Sequence, residues 1–290
     1  MSLSREPNRI ETLPNGTEVR FWDEVGVDGK SQRRAYRVGG RDETWPSVST
    51  VAGIYAIRAL TPKAAKMQEE AVIALAQSGV NIAALTQPQL RAKLMEAGTH
   101  YDAIWGQARK RGDMAHKMLL ALLQDGTVPS IADFPVDMQP WISAGLKWVR
   151  DEKPEVIDAE YFVASETWKF AGRGDLLCCP QKGPRTGKLV RVDYKTVSAW
   201  SYEKLRKDEE PPGRLRAPYD ESLIALAGYE LGAVDCGRMA SDVRLVVRLG
   251  PDGEYSATES HATEESFTAA LTAHREKAYL TKPKPEAVVA

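Results

Sequence analysis

The stretch that most constrains this chain is Leu189-Val-Arg-Val-Asp193-Tyr-Lys195-Thr196. Val190, Val192 and Tyr194 alternate with Arg191, Asp193 and Lys195, and the side-chain period of a strand sends the two sets to opposite faces. An earlier run, Gly172-Arg-Gly-Asp175-Leu-Leu, is separated from it by Pro180-Gln-Lys-Gly-Pro-Arg-Thr-Gly187, whose Gly and Pro density predicts a loop. A hairpin centred near Pro184 sets Asp175 directly across from Asp193. The valine face is expected to pack, leaving the other face for chemistry. Like charges opposed on adjacent strands destabilise a sheet, and at about 4 Å with an effective dielectric of about 20 the repulsion is roughly 4 kcal/mol. A divalent cation between the carboxylates reverses that sign. Two hard oxygen ligands with waters completing the shell is the usual way Mg²⁺ is held, and Lys195 lies beside the pair. Asp-x-Lys by itself is a common surface pattern; the opposed Asp175, followed by apolar Leu176 and Leu177, makes this one a candidate metal site.

At 290 residues and 43% hydrophobic content, the chain can build one large or two modest domains with a real core. No apolar run approaches the roughly 20 residues of a membrane helix. The start, Met-Ser-Leu-Ser-Arg-Glu-Pro, lacks the apolar segment of a secretory signal, so a cytoplasmic protein without membrane contact is expected. Cys178, Cys179 and Cys236 form neither a paired disulfide framework nor a zinc or iron-sulfur spacing, which predicts packing roles in a reducing compartment. With 39 basic and 40 acidic residues, bulk charge does not favour coating nucleic acid. A localised basic groove stays open, from Arg109-Lys-Arg111, Lys204-Leu-Arg-Lys207 or Arg214-Leu-Arg216, although such clusters are commonly ordinary solvated surface.

Along the chain, residues 8–44 read as short polar strands, at 16–22 and 34–38, forming an N-terminal β element. Trp45-Pro-Ser-Val-Ser-Thr-Val51 leads into a helical region, where Thr61-Pro62 predicts the cap and first turn of a helix reaching residue 75. Further helices are expected at 86–97 and 101–124. The second carries an apolar stripe of Ile104, Ala108, Met114, Met118, Leu119 and Leu122, with Gly126 as its stop. Gly112 inside it costs about 1 kcal/mol relative to Ala and suggests a close approach or a break. His116 lies one turn later on the same side; a lone helical histidine is commonly structural. A helix at 137–151 holds Trp141 and Trp148. Strands at 156–163, 170–179 and 188–197, joined by short turns, imply an antiparallel meander. A helix at 218–232, strands at 241–248 and 254–258, and a helix at 264–279 complete the chain, with a frayed tail at 282–290. The expected divisions are 1–44, a helical region 45–152 and a core 153–281, with 45–281 forming one compact domain.

The order of these motifs resembles the RecB-type branch of the PD-(D/E)XK nuclease superfamily: a helix with Gly112-x-x-x-His116, a strand with Glu160, Gly172-x-x-Asp175, Asp193-x-Lys195, and a helix with Tyr229. Pro46-Ser-Val-Ser-Thr50 and Arg111-Gly112 resemble, more narrowly, phage exonucleases and the mitochondrial genome maintenance exonuclease group. The resemblance spans residues 45–280, and its short motifs gain specificity together because each falls on the element type expected of it. It implies an α/β (α+β) fold with a restriction-endonuclease-like core: a central mixed β-sheet flanked by helices, plus a helical insertion and the small N-terminal β element. It implies Asp175 and Asp193 as metal ligands and catalytic residues, Lys195 as the lysine that orients or activates the attacking water, and His116 as a ligand from the neighbouring helix. Glu160 and Tyr229 take supporting roles, and Arg111 and Arg173 contact substrate. The glutamine usual four residues before the tyrosine is Ala225 here, a departure in how this helix meets substrate. The implied cofactor is Mg²⁺ or Mn²⁺, as one or two ions; His116 favours a second ion or Mn²⁺. Iron-sulfur members use four cysteines outside the core, so no cluster is expected here.

The implied activity is that of a metal-dependent DNA exonuclease acting on single strands or free ends. Its implied setting is phage or bacterial recombination or replication, with a partner protein from those processes. Ring-forming relatives leave the oligomer open. The competing reading is a nuclease-fold module that binds DNA or protein without cutting, against which the intact Asp175, Asp193 and Lys195 argue. A third treats these residues as surface polar groups of an unrelated α+β protein.

Overall fold

The three central alternating runs form β4 (Pro154–Ser165), β5 (Phe170–Pro180) and β6 (Val190–Thr196), the antiparallel meander that the turn chemistry predicts. The computed structural model describes residues 6–25, 32–55, 57–125, 130–197 and 218–280. In it β6 also pairs in parallel with β7 (Val243–Leu249), and β8 (Tyr255–Glu259) closes the order β4-β5-β6-β7-β8. A parallel pair needs a long crossover, and helix α6 (Asp220–Asp235) lies in the connection. A separate antiparallel sheet holds β1 (Arg9–Thr12), β2 (Glu18–Val25) and β3 (Gln32–Val38). The fold is therefore a mixed α/β architecture, with a central five-stranded mixed sheet and a small N-terminal sheet.

Helices α4 (Tyr101–Asp125) and α5 (Gln139–Glu152) cover one face of the large sheet, where Met118, Leu119, Trp141 and Trp148 pack on Leu176, Val190, Val192 and Tyr194. Helices α1 (Val48–Ala52), α6 and α7 (Glu264–Leu280) cover the other, where Val51, Ala227 and Phe267 share a core with Leu177 of β5. The N-terminal sheet adds Val19, Phe21 and Tyr36 against Phe162, Ala164 and Ala171 of β4 and β5. This layering corrects the expectation of one packed and one open face on β6. As the middle strand it is covered on both sides, and Arg191 and Asp193 are 1% and 4% exposed.

Helix α2 (Ile57–Gln77) starts before Thr61-Pro62, which therefore lies within the helix and not at its cap. A proline there forfeits one i to i−4 bond, and good helix formers on both sides carry the helix through. Helix α3 (Gln87–Glu96) begins as its sequence predicts, with the Gln89 side chain accepting from Thr86 N–H at 2.8 Å. Helix α4 is unbroken at Gly112, where an added Cβ would meet Thr196 Oγ1 at an ordinary 3.7 Å. Neither the close approach nor the break expected there occurs. Gly126, the basic clusters at 204–207 and 214–216, and the tail at 282–290 lie outside the described residues. Cys178 and Cys236 are buried free thiols, and burial pushes the Cys178 thiol up to about 12, which suits inert packing. Among the described residues no helix is long and apolar enough to cross a membrane.

Gly228 shows how closely α6 and α7 approach. A Cβ there would sit 2.4 Å from Phe267 Cε2, and Phe267 is wholly buried. Gly228→Ala is expected to destabilise the protein by about 1–3 kcal/mol through overpacking, although alanine is the better helix former. Thermal melting of the two proteins checks this; an unchanged or raised Tm would show that α7 can step aside.

Candidate metal centre

Strand register brings three carboxylates into one row. Tyr161 pairs with Gly174 and Ala159 with Leu176, so Glu160 lies opposite Asp175. Leu176 pairs with Val192, and that register continued by one step sets Asp193 on the other side of Asp175. The row is not a flat ladder. Past Leu176 the Asp175 side chain takes over, its Oδ2 accepting the Tyr194 N–H at 2.9 Å. Glu160 has φ +51°, the one left-handed non-glycine residue inside a strand among those described. Its flanking residues confirm the twist: Ala159 packs toward α4 and α5, whereas Tyr161 enters the core under α6. In an unbroken strand they would share a face.

Across this row lies α4, whose amphipathic face delivers His116. His116 Nε2 lies 3.1 Å from the Tyr194 carbonyl oxygen. A carbonyl only accepts, so Nε2 is the donor, and in the neutral ring the lone pair is at Nδ1. Nδ1 faces Asp175 Oδ1 at 3.6 Å, too long for a hydrogen bond and a spacing that two ligands of one cation can share. The two backbone groups of Tyr194 thus orient both side chains, and its carbonyl is a second partner of the kind metal-binding histidines have. Ligand atoms of His116, Glu160 and Asp175 lie within 4.8 Å of one another. Two carboxylates fit Mg²⁺ and, with the imidazole, Mn²⁺.

Asp193 lies outside that mutual group. Its Oδ2 pairs with Lys195 Nζ, and Lys195 also donates to the Tyr194 carbonyl at 3.2 Å. Burial pushes the Asp193 carboxyl up, Lys195 opposes this, and Asp175 adds to the rise. For Lys195, burial acts downward, but Asp193 and Asp175 together outweigh it and hold the ammonium above its ordinary value. Burial also raises Glu160, with Arg173 opposing. The Tyr229 phenol is raised well above its usual range by burial and then by Asp193 and Asp175, so it stays protonated.

Glu160, expected in a supporting role, belongs to the group of ligand atoms itself. Tyr229 packs on Gly172, where a Cβ would come within 2.9 Å of its ring and 2.7 Å of Val48. The glycine of Gly172-x-x-Asp175 thus admits both α1 and α6. Arg111, expected on substrate, stacks over Trp141 at 5.1 Å; Arg173 is ion-paired with Glu160 at 2.8 Å. The cleft beside the site, about 440 Å³, is instead lined by Ser47, Thr50, Arg109, His116, Lys195 and Thr196, among others. Pro46-Ser-Val-Ser-Thr50 is the sequence signal for its hydroxyl wall. Ala171 of β5 donates to the Pro46 carbonyl at 3.1 Å, which fixes that wall to the sheet.

No family model and no curated protein sequence matches this chain. Among solved structures it is similar to an alkaline exonuclease (LHK-Exo) from Laribacter hongkongensis, with a TM-score of 0.30 and 13% identity over 58% of this chain and 79% of that one. LHK-Exo in complex with dAMP is similar at a TM-score of 0.29 and 16% identity, covering 58% and 82%. At that depth the likeness leaves the chemistry to be decided by the chain's own residues.

Proposed function

We propose that this chain is a divalent-metal-dependent nuclease hydrolysing DNA phosphodiester bonds, with exonuclease action favoured. The observation that carries this reading is the convergence of His116 Nδ1, Glu160 and Asp175 beside the Asp193–Lys195 pair. His116, Glu160 and Asp175 would hold Mg²⁺ or Mn²⁺, with Asp193 at the edge of the same row. Such an ion supplies Lewis acidity toward a phosphoryl oxygen and lowers the pKa of water. Lys195, kept charged by its carboxylate neighbours, donates to the phosphate or to the attacking water. Asp193 fixes where that ammonium stands. Ser47, Ser49, Thr50 and Arg109 line the adjoining cleft and suit a sugar-phosphate strand, since such contacts position without reading sequence. The cleft is lined by α1, α4 and the end of β6; the preference for exonuclease action rests on the resemblance to phage exonucleases. By its resemblance to phage exonucleases, the activity would serve phage or bacterial recombination or replication.

Linear single- and double-stranded DNA incubated with the protein in EDTA, Mg²⁺ or Mn²⁺ tests this. Degradation is expected with either metal and not with EDTA. Cleavage that survives exhaustive chelation, or DNA binding without cleavage under every condition, would overturn the proposal.

A further inference from the structure

Glu160 occupies a backbone conformation that side-chain-bearing residues rarely adopt, and nothing in Ala159-Glu160-Tyr161 calls for it. Two arginines grip this residue at separate points. Arg9 of β1 donates from Nη1 to the Glu160 carbonyl at 2.8 Å. Arg173 of β5 pairs through Nε with Glu160 Oε2, also at 2.8 Å. A left-handed residue turns its carbonyl out of the regular ladder, and a backbone acceptor so displaced needs another donor. Arg9 is that donor. A carboxylate has two oxygens, and with Oε2 held by Arg173 the other is left for the site.

Both arginines are themselves anchored on the N-terminal sheet. The Arg9 guanidinium lies 4.6 Å over the Phe162 ring and pairs with Glu11 at 2.6 Å. Glu11 also receives Arg238 at 2.6 Å, and Arg238 reaches back to β4 at Asp158 and, at 2.9 Å, at the Phe162 carbonyl. This chain of charges straddles Glu160 from residue 158 to residue 162. Arg173 lies 5.8 Å from the Phe21 ring of β2.

We infer that Arg9 and Arg173 are positioning residues that hold Glu160 in its ligating pose, which makes the N-terminal sheet a working part of the metal centre. The inference rests on the proposed metal site. Removing partners that orient a ligand typically weakens metal binding about 10- to 100-fold. Arg9→Gln and Arg173→Gln should each do so, as read by calorimetric titration of the full-length protein with Mn²⁺ and no DNA. Arg173→Lys, keeping the charge but losing the planar fork, should recover part of the loss.

Arg9 and Arg173 side chains are 41% and 33% exposed, so neither change opens the core. A double-mutant cycle separates positioning from general destabilisation: in a Glu160→Ala background, adding Arg9→Gln or Arg173→Gln should leave Mn²⁺ affinity unchanged. Equal losses in both backgrounds, or single variants that bind Mn²⁺ as wild type does, overturn the inference and leave the metal site standing. A wild-type protein that binds no Mn²⁺ overturns both.

Discussion

Asp193→Asn and Lys195→Ala are each expected to reduce kcat for DNA cleavage at least about 100-fold, the usual effect of removing one preorganised charge or donor at a developing negative charge. The two residues act as a unit, since Lys195 Nζ pairs with Asp193 Oδ2 and both stand beside Asp175. Their losses should therefore overlap, with the double variant little worse than either single one. Asparagine keeps the volume of a side chain that is 4% exposed, so the fold should persist. The Lys195 side chain is 44% exposed as a whole, so its loss leaves no large cavity. DNA affinity, measured by fluorescence anisotropy in EDTA, should change far less than kcat, because these groups serve the transition state and the cleft walls hold the strand. Raised above its ordinary value, Lys195 keeps its charge through neutral and mildly alkaline pH, so no loss of rate from its deprotonation is expected there. Turnover at the wild-type rate by either variant would end the assignment.

The features legible in the sequence are those carried by period and punctuation. Alternation fixed β6 and placed Val190 and Val192 opposite Asp193, and the loop at 180–187 set the register that aligns Asp175 with it. The spacing of Gly112 and His116 on a helix put His116 on the side that meets the sheet. What escaped depends on contacts far apart in the chain. The parallel pairing of β6 with β7 follows a crossover that no local pattern announces. Glu160 carries no glycine or asparagine signal for a left-handed backbone, so its place among the ligand atoms was hidden. Arg9, 151 residues away, supplies its carbonyl partner. The resemblance assigns Arg111 and Arg173 to substrate, and their partners within the chain are not legible in the sequence. Trp141 and Glu160, which engage them, come from other elements.

Arg191 is the strongest case of a residue whose sequence position misleads, and its replacement should have the largest effect on stability. Alternation assigns it to a polar face, yet it is 1% exposed. It pairs with Glu230 of α6 at 2.7 Å and donates to the Tyr161 hydroxyl and, at 3.1 Å, to the Met239 carbonyl. Glu230 in turn accepts from Ser241 N–H at 2.7 Å and from its hydroxyl at 2.6 Å. Burial acts to lower the guanidinium's pKa, but Tyr161 and Glu230 outweigh it, so the guanidinium stays charged. Arg191→Met leaves the Glu230 carboxylate buried without its cation, and breaking a buried pair in this way typically costs about 3–5 kcal/mol. Urea denaturation should show a lower midpoint with an unchanged slope. Adding Glu230→Leu should recover much of the loss, because removing both charges removes the desolvation penalty along with the attraction. Arg191 lies two residues from Asp193 on the same strand face, so the double variant also separates the two contributions of this network. If it regains stability but not cleavage, the pair holds β6 in the position that Asp193 needs; if it regains both, the pair serves only the fold.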